Sequence, residues 1–152
     1  MSRHRYTARC SWRGSTAVGY EGYDRRHDAS APPAEAMLRL ASDPAFRGDA
    51  RLLNPEQLVV LAAASCQLLS FLAVAARARI DVLEYDDEAE GVMPEDDRPV
   101  RITRIALRPR IVVAAGPTEE RVRRLVETAH RECYVSNSLR TAIEVVPSVA
   151  FR

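Results

Sequence analysis

The chain has 152 residues, a formal net charge of +1, and 47% apolar against 28% charged residues. That is enough for one domain with a buried core, expected to span residues 1–152. The near-neutral balance gives no electrostatic case for nucleic acid or an acidic lipid surface.

The opening residues, MSRHRYTARC, are polar and lack the apolar stretch of a secretory leader, so a cytoplasmic setting is expected. Three cysteines in such a setting argue against a disulfide scaffold and leave redox or metal chemistry open. No CxxC or paired-His spacing supports a zinc site. Residues 4–14 alternate strictly. Tyr6, Ala8, Cys10 and Trp12 share one face, and Arg5, Thr7, Arg9, Ser11 and Arg13 the other. This predicts a half-buried strand with Cys10 as a packing residue. Val18–Asp24 reads as a second strand closing a hairpin, Arg25–Pro33 as a loop, and Ala36–Ala41 as a short third strand. Ser42–Leu53 carries turn chemistry at Asp43-Pro44 and Gly48-Asp49, and so forms a loop bearing Arg47 and Arg51.

Asn54–Arg79, NPEQLVVLAAASCQLLSFLAVAARAR, is the longest apolar segment. Asn54 is a cap, Pro55 suits the first helical position, Glu56 meets the positive end of the dipole, and Gln57 can close a capping box. Leu58–Ala76 contains no charge, Gly or Pro. It is long enough to span a bilayer, but Ser65, Gln67 and Ser70 favour a core helix, buried on all sides. Cys66 sits near its middle.

Ile80–Tyr85 reads as a strand running into an acidic turn. Asp86, Asp87, Glu88, Glu90, Glu95, Asp96 and Asp97 read as a solvated hairpin tip with no EF-hand spacing. Val100–Val113 has a strand pattern with a phase slip at Thr103-Arg104 that suggests a bulge, and Pro109 implies an edge or a kink. Gly116-Pro117 starts a second helix whose stripe, Val122, Leu125, Val126 and Ala129, continues to Cys133. His130 reads as a surface residue at that helix end. Val135–Ala142 is a short helix or turn with Ser136 as its cap, and Ile143–Val146 is a closing strand ended by Pro147.

A thiol reacts as its thiolate, so a buried cysteine needs a positive neighbour to be nucleophilic near neutral pH. An arginine held by a carboxylate such as Glu56 supplies one. Glu56 lies ten residues before Cys66, about 15 Å along a straight helix. A bend or a second chain must therefore bring acid and thiol together.

The Asn-Pro-Glu helix start with its mid-helix cysteine, followed later by HRECYVSNSL and a final strand, resembles the OsmC/Ohr family of thiol-dependent peroxidases. The resemblance spans Ser42–Val146. It implies an α+β fold with two long core helices on antiparallel sheets, and an intertwined homodimer. Cys66 matches the peroxidatic thiol, Cys133 the resolving thiol, and Glu56 the acid that pairs with an activating arginine. Arg47 is the nearest match for that arginine, with Arg51 as its rival. An organic hydroperoxide substrate and a dithiol reductant are implied, with no metal and no organic cofactor. Tyr134 departs from the family, which usually has Pro after the second cysteine. The alternative is a non-catalytic member of the same fold that binds small molecules or serves as a stress-associated protein.

Overall fold

The N-terminal alternation forms a strand only where neighbouring chain supplies a ladder. In the computed structural model, which describes residues 1–152, β1 covers Arg9–Ser11 alone. It pairs antiparallel with β2 (His27–Ser30), which pairs antiparallel with β3 (Met37–Leu40). The second strand therefore lies inside the stretch that reads as a loop. Val18–Asp24 turns instead: Thr16–Val18 is a 3-10 turn capped by Ser15 Oγ, and Gly19 has φ 85. Trp12 Nε1 donates to the Asp24 carbonyl at 2.6 Å, and the Arg26 N–H donates to the Asp24 carboxylate at 2.9 Å. These two bonds close the connection before the strand can begin. β1 is exposed throughout and Cys10 with it, which corrects its assignment as a packing residue. Alternation marks two faces; it does not ensure that one of them is covered.

The chain divides into two compact units, Met1–Leu58 and Val59–Arg152. In the first, Pro44–Phe46 forms a 3-10 turn capped by the Asp43 carboxylate. In the second, six strands form two mixed sheets. One has the order β4 (Val82–Asp87), β7 (Pro109–Val113), β9 (Ser148–Phe151). The other has the order β5 (Glu90–Val92), β6 (Arg104–Leu107), β8 (Ala142–Val145). β4–β7 and β5–β6 are antiparallel, whereas β6–β8 and β7–β9 are parallel; only with the two antiparallel pairs of the first unit does antiparallel pairing dominate. The long strand expected over Val100–Val113 breaks at Arg108, and its halves join different sheets. Pro109 stands at the first residue of a central strand, where its missing N–H costs no ladder bond. β9, beyond Pro147, has no counterpart in the sequence reading.

Helix α1 (Pro55–Arg77) starts as its sequence dictates. The Gln57 N–H donates to Asn54 Oδ1 at 2.8 Å, and Gln57 Oε1 accepts from the Asn54 N–H at 3.0 Å, a reciprocal capping box. It ends in a Schellman motif. Arg79 adopts φ 58, and the N–H groups of Ile80 and Arg79 donate to the carbonyls of Ala75 and Ala76. α1 is long and apolar enough to cross a membrane, yet one face packs into two cores. Its later turns, with Phe71, Val74 and Ala75, meet Ile111 and Val113 of β7 and the α2 residues (Glu119–Glu132) Val122, Val126 and Ala129. Its earlier turns, with Val59, Val60 and Ala63, meet Ile105 and Leu107 of β6. Burial of a side chain such as Phe71 contributes about 1.5–3 kcal/mol. The expectation of burial on all sides fails: Leu61, Leu69 and Leu72 are 57%, 63% and 39% exposed. An all-apolar helix can bury every face only if something lies against every face.

Candidate active site

Cys66 lies on the flank of α1, between the covered stripe and the open apolar face, and it is half-buried. α2 carries the second thiol. Thr118 Oγ1 accepts from the Arg121 N–H at 3.2 Å and starts this helix. Val122, Val126 and Ala129 are buried along one stripe, and Cys133 continues that stripe at 0% exposure. Cys133 ends α2 and starts α3 (Tyr134–Ser138). Two residues far apart in the chain thus come near each other: Cys66 is close enough to push the Cys133 thiol up, and both are free thiols.

Burial pushes the Cys133 thiol up, hydrogen bonds from Ser136 pull it back, and Cys66 beside it pushes it further up. The Ser136 hydroxyl donates to Cys133 Sγ at 3.1 Å. Ser136 is therefore a ligand of the sulfur, not the cap expected of it. The Cys-x-x-Ser spacing at a helix start is the signal that points to this contact. Four side-chain polar atoms are buried without a partner: Gln67 Oε1, the Tyr85 hydroxyl, Asp87 Oδ2 and His130 Nδ1. His130 is half-buried rather than a free surface residue. Burial, then Asp87, then Cys133 push the Tyr85 phenol up, so it stays a neutral donor. Tyr134 is 80% exposed.

Glu56 stands half-buried in the first turn of α1. Arg47 follows the 3-10 turn in the left-handed region, at φ 61. Gly48 must follow it, because a Cβ there would lie 1.4 Å from the Ser42 carbonyl oxygen. The Arg47 guanidinium pairs with Glu21, not with Glu56. Arg51 pairs with Asp49 at 2.8 Å, and its hydrogen bonds hold the Asp49 carboxyl down to about 2. Both candidate arginines are thus occupied. Sequence reading missed Arg25, on the same groove as Arg47. Its guanidinium lies 3.9 Å from the Tyr23 ring centroid and 4.6 Å from that of Tyr20, and it donates to the carbonyls of both residues. Two tyrosines five and two residues before an arginine were the available signal.

Together these features define a class: an α+β protein that carries two reduced thiols where a long central helix meets the end of a second helix. The family model for OsmC-like protein matches residues 48–148, and the chain belongs to that family. In structure it is similar to an OsmC-like protein of unknown function from Vibrio cholerae, with 25% identity, a TM-score of 0.84, and coverage of 97% of this chain and 100% of that one. It is also similar to an organic hydroperoxide resistance protein from Legionella pneumophila, with 21% identity, a TM-score of 0.73 and 99% of each chain covered. One from Elizabethkingia anophelis matches with 20% identity, a TM-score of 0.73 and 99% of each chain covered. No curated protein matches the chain in sequence.

Proposed function

We propose that the protein is a thiol-dependent peroxidase that reduces organic hydroperoxides. The observation that carries this reading is the adjacency of Cys66 and Cys133, both reduced. The half-exposed Cys66 attacks the peroxide as a thiolate. Its sulfur takes one oxygen, the O–O bond breaks, and the alcohol leaves. The Cys133 sulfur then attacks the Cys66 sulfenic acid. The S–S bond forms, the S–O bond breaks, and the hydroxyl leaves with a proton as water. A dithiol reductant accepts the disulfide and restores both thiols.

Glu56 and Arg47 fill the roles of orienting acid and activating guanidinium in this reading. Arg47 must then exchange Glu21 for Glu56. Arg25, which no carboxylate neutralises, is the competing donor. The acid lies too far along its own helix from Cys66 to touch it. A second copy of the chain, seated on the open face of α1, would supply the acid and exclude water from the thiols. The apolar character of that face suits organic over strongly polar hydroperoxides.

The second reading, a binding protein of the same fold without turnover, draws on the buried, raised Cys133 thiol and the two occupied arginines. Consumption of a dithiol driven by cumene hydroperoxide separates the two. Wild type and Cys10→Ser should turn over alike, and Cys66→Ser should lose turnover. Equal rates in wild type and Cys66→Ser reject the peroxidase.

A further inference from the structure

Gln67 follows Cys66 directly and is 0% exposed. It stands on the buried stripe of α1 between Ala63 and Phe71, both also fully buried. Glutamine is mostly an exposed residue, so its presence at this depth needs a cause. Packing is not that cause. Its Oε1 is buried without a partner, which an apolar side chain of equal length would avoid. What the amide does provide is one bond: Nε2 donates to the main-chain oxygen of Val126 in α2 at 3.3 Å. Val126 lies on the Cys133 stripe, seven residues and about two turns before the thiol. The bond therefore runs from the neighbour of one sulfur to the helix that presents the other.

We propose that Gln67 is a positioning residue for the thiol pair: its hydrogen bond to Val126 sets the rotation and height of α1 against α2, and so the approach of Cys66 to Cys133. The proposal deepens the peroxidase reading and rests on it for the purpose of the disulfide. Its test does not need peroxide.

The measurement is the equilibrium of the Cys66–Cys133 dithiol with oxidised glutathione. One glutathione disulfide is reduced to two thiols as the protein pair is oxidised. Cys10→Ser serves as the background, to remove the exposed bystander. The ratio gives the effective concentration of one protein thiol toward the other. In Gln67→Met it should fall about tenfold, the scale expected when a reacting pair is held less well. In Gln67→Glu it should return toward wild type in acid, measured against wild type at each pH, because a protonated carboxyl can again donate to the Val126 oxygen. A glutamine that only fills space loses nothing in Gln67→Met, whose side chain has similar length and volume. A wild-type value in Gln67→Met, or no acid recovery in Gln67→Glu, overturns the proposal. If wild type shows no peroxide turnover while Gln67→Met still loses effective concentration, the peroxidase reading fails and the positioning role stands.

Discussion

Asp87 shows how a single side chain can be set against stability. One of its oxygens accepts from the Arg108 N–H at 2.7 Å, and the other is buried with no partner. Burial pushes its carboxyl up, only partly offset by that N–H and the Arg108 charge. A carboxyl raised in the fold binds its proton more tightly there than in the unfolded chain. The fold is therefore favoured below the ordinary value of 3.8 and loses that advantage as pH climbs through the raised value. Asp87→Asn keeps the acceptor for Arg108 and removes the charge. It should raise the melting temperature near pH 7 by about 2 °C, with the gain fading toward pH 4. Thermal melts across pH check this; a loss of stability at neutral pH would show the charge to be favourable. Residue roles of this kind were only partly legible in the sequence. The Asn54–Gln57 box is local, so spacing revealed it. The Ser136 contact and the cradle around Arg25 are local too, so spacing could have found them, whereas the bond made by the buried Gln67 runs to Val126, distant in the chain.

At the scale of elements, α1 was readable in existence, start and chemistry but not in burial. Its composition is apolar on every side, so no periodicity distinguishes the covered face from the open one. Leu61, Leu69 and Leu72 define that open face, with Cys66 at its border. A homodimer formed through it would complete the site. Leu69→Arg should then convert a two-chain species into a single chain and raise the dimer dissociation constant more than tenfold, given about 1.5–3 kcal/mol for a buried leucine. Sedimentation reads the outcome; an unchanged mass shows that the face is not the interface. Strands were less legible. Val100–Val113 carries one apolar pattern but serves two sheets. β2 is polar and forms because two neighbouring strands satisfy its backbone, which no side-chain pattern announces.

For the whole molecule, the family was legible because its signature is two short motifs in fixed order, the Asn-Pro-Glu helix start with its cysteine and the later Cys-x-Val-Ser. The architecture brings the cysteines of those two motifs close to each other, where the end of α2 meets the middle of α1. Peroxide chemistry at that point is the central claim. Its most direct test is peptide mass mapping of the reduced protein after one equivalent of cumene hydroperoxide. The expected product has lost two hydrogens and contains a Cys66–Cys133 cross-link, with Cys10 still free. Recovery of Cys66 and Cys133 as unmodified thiols, with peroxide left unconsumed, would contradict it.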